Sequence, residues 1–185
     1  MILIGIFKPA SHDNSSDYDL YRHEIAAYKI DKLLGLRMVP LTTEREINGE
    51  KGSFQLWVND LKESSIQLSN NARFFDYLIY HGDRDTETSI GANSGYRHDQ
   101  IVLYDNSCAF LPTTRLPSSD QLPQFIPESG VLEKARKLNI NVLNNIRYLT
   151  SEEQNCLLYR RDQLIKAIDG FYSASGMGGQ GSSRR

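Results

Sequence analysis

The alternation of apolar and polar residues predicts short strands and amphipathic helices in the first third of the chain. Met1 to Phe7 is an apolar run that stops at Lys8, as in a buried strand whose last residue reaches outward. Apolar residues then recur at helical spacing from Leu20 to Leu34, and Gly35 suits a helix C-cap. Three polar residues are available to cap the start of this helix: Ser16, Asp17 and Asp19.

Glu24 falls on the apolar side of this predicted helix. It lies four residues after Leu20 and three before Ala27, so it shares their face. A carboxylate buried there without a partner costs several kcal/mol, and Lys8 on the preceding strand is the nearest suitable cation. The alternative is that Glu24 sits at the edge of the stripe and reaches solvent. Lys8 would then be an ordinary strand lysine that snorkels out of the core.

A β-hairpin is predicted next. Its strands are Met38 to Thr43 and Ser53 to Val58, and Asn48-Gly49 between them is a strong turn signal. The second strand carries Gln55 and Trp57 towards the helical part of the chain. Backbone groups at such a junction can bind a flat base, so both residues are candidate nucleotide-binding residues. The alternative for Trp57 is a core or rim aromatic.

The stretch from Ala72 to Phe110 contains two aspartates that are candidate catalytic and metal-binding residues. An apolar helical pattern breaks at His81-Gly82 and is followed by a charged loop that contains Asp83. A short apolar strand then ends at Asp105. Kinases divide their work between two aspartates placed in this way: the first orients the acceptor hydroxyl and takes its proton, and the second holds the metal that bridges the nucleotide phosphates.

The C-terminal half is predicted to be helical. A proline-containing irregular segment, 111–128, is followed by helical patterns over 131–138 and 142–148. Ser151 and Gln154 form a predicted capping box for a last helix that ends near Tyr172. The tail from Ser173 has no apolar content to bury, so it is predicted to be disordered.

Composition narrows the class of protein. The chain has 185 residues, of which 39% are hydrophobic and 24% charged, as in an ordinary globular domain. A formal net charge of -2 with dispersed basic residues argues against nucleic acid or an anionic membrane as a partner. With neither a signal-peptide pattern nor a membrane-length apolar run, a cytoplasmic location is expected. Cys108 and Cys156 are then expected to be reduced, a disulfide being the alternative.

Four pieces of the sequence, in order, resemble the secretory-pathway kinase family that includes four-jointed and the Golgi casein kinase. They span about two-thirds of the chain, and their specificity comes from their order and from the predicted strand, helix, loop and strand contexts. The pieces are FKP at 7–9, YRHEIAAYKIDKLLGLRMVP at 21–40, FDYLIYHGDRDTET at 75–88 and LYDNSCAF at 103–110.

The resemblance implies an α+β, protein-kinase-like fold with two lobes. A small antiparallel sheet and one helix would form a truncated N-lobe over residues 1–58, a mainly helical C-lobe would span 59–172, and 173–185 would be the tail. It also implies ATP with Mg²⁺ or Mn²⁺ as cofactors and a protein substrate.

The same resemblance implies roles for individual residues. Lys8 would bind the nucleotide phosphates and Glu24 would pair with it, while Asp83 would be the catalytic base and Asp105 a metal ligand. Glu87 would be a second metal ligand, although the family has one more residue before the corresponding glutamate.

Two departures from the family's pattern support an alternative. Thr88 stands where a plain kinase has a metal-binding asparagine, and seven residues precede Lys8 where a kinase-like site has a phosphate-covering hairpin. The alternative is a pseudokinase or nucleotide-gated interaction module. A bacterial-type effector or toxin domain, delivered to a host or target cell, is compatible with either chemistry.

Overall fold

The structure is a computed structural model that describes residues 4–12, 20–62, 68–81, 94–97, 100–114 and 121–176. It has a mixed α+β architecture with small antiparallel sheets and helices, as predicted. The elements are β1 (Gly5–Pro9), α1 (Tyr21–Leu34), β2 (Thr42–Ile47), β3 (Glu50–Leu56), α2 (Asn70–Ile79), β4 (Ser94–Arg97), β5 (Gln100–Leu103), α3 (Ser129–Lys137), α4 (Ile140–Asn144) and α5 (Ser151–Ala174). The division into lobes at residues 58 and 59 stays a prediction.

A three-stranded antiparallel sheet in the order β1-β3-β2 brings three distant segments together. In its register Lys8 lies opposite Ser53, and Gln55 lies opposite Ile6 on one side and Thr42 on the other. Because cross-strand partners share a face, these side chains lie on one face of the sheet, which therefore has both polar and apolar groups.

The predicted hairpin is confirmed. Asn48 and Gly49 join β2 to β3 with φ angles of 55° and 80°, the paired left-handed conformation of a type I′ turn. Its strands differ from prediction in length. β2 begins at Thr42 rather than Met38, after Pro40, which has no N–H for the ladder, and β3 ends at Leu56, so that Trp57 lies beyond it.

Helix α1 is confirmed within one residue of its predicted start. Gly35 ends it in the left-handed conformation, at φ 74°, and its N–H donates to the carbonyl oxygens of Asp31 and Lys32. The N-cap is Leu20, which has no side chain that can cap, and the predicted capping residues at 16, 17 and 19 lie outside the described residues.

The apolar core lies between α1, α2 and the C-terminal helices. Its fully buried large side chains include Phe74 and Phe75 of α2, together with Leu103 and Phe110 on either side of Asp105. Burial of each such side chain stabilises the fold by about 1.5–3 kcal/mol. The backbone that carries Asp105 is therefore fixed from both directions along the chain.

The C-terminal helices differ from prediction at their ends. Asn139 caps α4 at its start by accepting from two backbone N–H groups, and the helix ends at Asn144, before Arg147 with its positive φ of 67°. The helix predicted over 142–148 therefore begins two residues earlier and ends four residues earlier than predicted. The capping box of α5 is formed by Thr150 and Glu153, one residue earlier than predicted.

The end of α5 also differs from prediction. The helix continues to Ala174, so the predicted start of a disordered tail at Ser173 was too early. Residues 177–185 lie outside the described residues. Cys108 and Cys156 are both reduced, as expected. In the described part of the chain, no helix is long and apolar enough to cross a membrane.

Candidate functional site

Lys8 is the centre of a polar cluster at the end of β1. Its Nζ donates to Ser107 Oγ at 2.7 Å, to Asp105 Oδ1 at 2.8 Å and, more weakly, to Glu24 Oε1 at 3.4 Å. The ammonium therefore lies closer to Asp105 than to the glutamate predicted as its partner. Both carboxylates are therefore within reach of one cation.

Glu24 is buried, with 5% of its surface exposed, on the inward face of α1. Its Oε1 faces Lys8, while its Oε2 accepts a hydrogen bond from the backbone N–H of Asn106 at 2.9 Å. Desolvation raises the pKa of this carboxyl, against the lowering effects of Lys8 and the Asn106 amide. Glu24 thus ties the Lys8 strand to the backbone immediately after Asp105.

Asp105 follows β5 in the left-handed conformation, at φ 51°, which aspartate tolerates better than most residues. Burial favours a higher pKa for its carboxyl, but the hydrogen bond and charge of Lys8, helped by Ser107, lower that pKa. Its side chain is 45% exposed. The hydrogen bonds that the carboxylate accepts from described side chains both reach Oδ1.

A cavity of about 820 Å³ opens beside this cluster. It brings together most of the residues that the sequence singled out, because β1, β3, α1 and the segment after β5 all contribute to its walls. The lining residues are Ile6, Lys8, Glu24, Pro40, Ser53, Gln55, Leu56, Trp57, Val58, Asn59, Asp60, Leu61, Val102, Tyr104 and Asp105. A cavity of this size is large enough for a small-molecule ligand.

The sequence-predicted site is thus placed in part. Lys8, Glu24, Gln55, Trp57 and Asp105 share the cavity, while their individual roles stay predictions. The predicted catalytic base Asp83 and the predicted metal ligand Glu87 lie outside the described residues, as does Thr88.

Ser107 is a residue that sequence reasoning missed. Its hydroxyl accepts from Lys8 and donates to Asp105 Oδ1 at 3.1 Å, so it completes the ring of contacts around the ammonium. Its carbonyl oxygen accepts from the backbone N–H of Leu20 at 3.1 Å and lies 2.9 Å from Nδ1 of His23. A serine two residues after an aspartate carries no signal by itself that would have revealed this role.

His23 was also missed, although a signal was present. It lies four residues before Ala27 and seven before Ile30, at helical spacing, and all three are fully buried. Its Nε2 lies 2.9 Å from Oε1 of Glu153, and its Nδ1 faces the carbonyl oxygen of Ser107. Both ring nitrogens of this buried histidine therefore have a polar partner.

Glu153 connects this histidine to the last helix. Both of its oxygens accept from Arg22, at 2.6 and 2.7 Å, and its Oε2 also accepts from the backbone N–H of Thr150. Burial favours a raised pKa, but the hydrogen bonds from His23, Arg22 and Thr150 hold the pKa of Glu153 well below its usual range. The first turn of α1, next to Glu24, is therefore fastened to the start of α5.

The described residues fit one part of a divalent-metal site. Within them no group of three or more His, Cys, Asp or Glu side chains is placed to hold a metal ion. Asp105 nevertheless presents a half-exposed carboxylate to the cavity. Mg²⁺ in nucleotide sites is held by one or two carboxylates together with phosphate oxygens and water, so Asp105 suits one such ligand.

Comparison with known proteins supports a class of fold rather than a family. No protein-family profile matches the chain, and no curated protein matches its sequence. The mixed α+β architecture is similar to a kinase-like fold.

One solved structure with this similarity is that of Fam20 from hydra with sugar. The superposition has a TM-score of 0.56 and covers 94% of this chain and 80% of that one, at 13% sequence identity. At this identity the match shows the kinase-like fold alone.

Proposed function

We propose that this protein is a metal-dependent phosphotransferase that moves the γ-phosphoryl group of ATP to a hydroxyl acceptor, most simply a serine or threonine of a protein. The observation that carries the proposal is the contact of Lys8 with Asp105 at 2.8 Å and with Glu24 at 3.4 Å inside one cavity. The kinase-like fold supports it, because phosphoryl transfer needs such a cation and such a carboxylate side by side.

In this proposal each described residue has a separate task. Lys8 holds phosphate oxygens, and the buried Glu24 keeps Lys8 directed into the cavity. Asp105 would hold Mg²⁺ or Mn²⁺, which would supply the positive charge that offsets the charge of the phosphates. Asp83 and Glu87 are proposed as base and second metal ligand from their sequence positions alone.

The charge balance of the cluster favours a cation. Two carboxylates, Glu24 and Asp105, surround the single ammonium of Lys8, so the cluster carries an excess negative charge. In this arrangement Asp105 would hold the cation, and Lys8 would donate its N–H groups to phosphate oxygens. Glu24 stays in place because the Asn106 amide also holds it.

The cavity position fits the proposed two-lobe arrangement. Its walls come from β1, α1 and β3 on one side and from the residues around Asp105 on the other. Residues 1–58 and 59–172 would be the two lobes, with the nucleotide between them.

A second candidate function is a nucleotide-gated interaction module without transfer activity. It is favoured by the state of Lys8, whose ammonium has acceptors on Ser107, Asp105 and Glu24 within 3.4 Å. A lysine engaged in this way gives up existing contacts before it binds phosphate. The departure at Thr88 points in the same direction.

Transfer from γ-labelled ATP in the presence of Mg²⁺ or Mn²⁺ tests the proposal. A panel of proteins should be offered together with free sugars, since the hydra Fam20 structure holds a sugar. We expect label on an acceptor and a loss of at least about a hundredfold in the Asp105→Asn variant. The matched control is Asp162→Asn, a change at an exposed aspartate on α5 that should leave transfer unchanged.

Transfer that persists in Asp105→Asn would overturn the proposed role of Asp105. Nucleotide binding without transfer to any acceptor would favour the interaction module.

A further inference from the structure

The amide of Gln55 has a fixed orientation at the wall of the cavity. Thr42 Oγ1 donates its one hydrogen to the carbonyl oxygen of Pro40 at 2.8 Å. The same oxygen lies 3.0 Å from the amide nitrogen of Gln55, so it must accept from that nitrogen. Gln55 Nε2 is thereby directed to Thr42, and its Oε1 remains as the acceptor that can face a ligand.

The surroundings of Gln55 suit an aromatic ring. Ile6, its cross-strand partner, is 53% exposed and Trp57 is 51% exposed, and both line the cavity together with Val102 and Leu61. Exposed apolar side chains beside an oriented acceptor suit a flat heterocycle that carries a matching donor.

Gln55 and Lys8 lie on the same face of the sheet. Lys8 pairs with Ser53, and Gln55 is two residues further along β3, about 7 Å at ordinary strand rise. A ligand with a ring against Gln55 and an anionic group at Lys8 would therefore run along the face of the sheet.

From this geometry we infer that Gln55 selects the nucleotide base and that it favours adenine over guanine or hypoxanthine. The inference rests on the proposed nucleotide-binding function. Adenine carries an exocyclic amine that donates to an acceptor such as Oε1, whereas guanine and hypoxanthine carry a carbonyl oxygen at that position. Two facing acceptors repel each other, so the fixed amide disfavours those bases.

Calorimetric titration of the full chain with ATP, GTP and ITP in excess Mg²⁺ tests the inference. We expect ATP to bind about tenfold more tightly than ITP, the ratio that corresponds to one net hydrogen bond of about 1.4 kcal/mol. GTP should also bind more weakly than ATP. Equal affinity for ATP and ITP would overturn the inference while leaving the proposed function standing, and absence of binding by all three would overturn both.

The variants act on the orientation of the amide. Thr42 is buried and is not among the residues that line the cavity, so Thr42→Val removes the hydroxyl without touching a ligand. The Gln55 amide can then rotate, and the preference for ATP over ITP should fall towards one. Thr42→Ser keeps the hydroxyl and should restore the parent preference.

Gln55→Leu provides a second route in case Thr42→Val does not fold. It removes the acceptor altogether, so ATP should still bind but with an affinity close to that of ITP. A full preference for ATP in either folded variant would overturn the inference.

Discussion

Two charged clusters lie on either side of the first turn of α1, and neighbouring residues of the helix supply them. Glu24 enters the cavity cluster with Lys8 and Asp105, whereas His23 enters a sealed cluster with Arg22 and Glu153. Ser107 is not charged but touches both: its hydroxyl meets Lys8, and its carbonyl oxygen meets His23.

The two clusters differ in exposure and in charge balance. Lys8 and Arg22 are similarly exposed, at 27% and 25%, and Glu24 and Glu153 are similarly buried, at 6% and 5%. The difference lies in Asp105, whose side chain is 45% exposed, and in His23, whose side chain is 0% exposed. In the sealed cluster both oxygens of Glu153 accept from the guanidinium of Arg22, and Oε1 also contacts the ring of His23. The cavity cluster instead has a surplus of carboxylate, so the sealed cluster serves the fold and the cavity cluster is the one suited to a ligand.

The largest expected effect comes from removing the carboxylate of the sealed cluster. Glu153→Ala leaves Arg22 and His23 without their shared acceptor, and breaking a buried ion pair in this way costs about 3–5 kcal/mol. Urea denaturation measures this loss in the free energy of unfolding. Arg136→Ala, which removes an exposed ion pair with Asp169, is the control and should cost less than about 1 kcal/mol.

A comparable loss in both variants would show that the sealed cluster does not hold α1 in place. The comparison between the two clusters would then lose its basis.

Asp31 is a buried carboxylate near the other end of α1, away from both clusters. It is 2% exposed, its Oδ1 accepts from the backbone N–H of Met38 at 2.9 Å, and burial raises its pKa to about 6. Because this pKa lies above the ordinary value near 3.8, protonation stabilises the fold. That stabilisation is fully present below about pH 3.8 and is lost as the pH rises through about 6.

Asp31→Asn stays neutral and keeps the oxygen that accepts from Met38. The free energy of unfolding should therefore fall less steeply from pH 4 to pH 7 in the variant than in the parent, by about 2 kcal/mol over that interval. Denaturant unfolding at a series of pH values measures the slope. Parallel profiles for parent and variant would mean that Asp31 does not titrate in this range.

Where the pattern of residues is local, the sequence predicted the fold well. The Asn48-Gly49 turn and the Gly35 cap both depend on positive φ angles, which few residue types favour. The residue types at these positions were therefore enough to predict the turn and the end of the helix. The capping box was displaced by one residue because Thr150 and Ser151 are both good N-caps, and only the contact of Glu153 with the Thr150 N–H decides between them.

The candidate site was predictable only in part. Lys8 and Asp105 each follow a recognisable strand, so they could be placed at strand ends. Ser107 and Glu153 could not be found, because their contacts with α1 join residues 84 and 130 positions apart in the chain. Contacts of that range follow from tertiary packing and leave no local pattern.

The smallest expected effect on stability comes from the cavity cluster. Lys8→Met leaves Glu24 without its cation, but the Asn106 amide remains, so the expected cost is about 1–2 kcal/mol. Because burial raises the pKa of Glu24 and the lost cation raises it further, the cost should be greater at pH 8 than at pH 5. Urea denaturation at both pH values measures the difference, and an equal cost at both would argue against a charged Glu24.

The most direct test of the central claim is thermal unfolding of the parent and of Lys8→Met, with and without ATP and MnCl₂. If the cavity cluster binds a metal nucleotide through Lys8, ligand at a hundredfold excess over its Kd should stabilise the parent by about 2.7 kcal/mol, and the same ligand concentration should stabilise the variant far less. Equal stabilisation of the two proteins would contradict the account, because Lys8 would then be a strand lysine with no part in ligand binding.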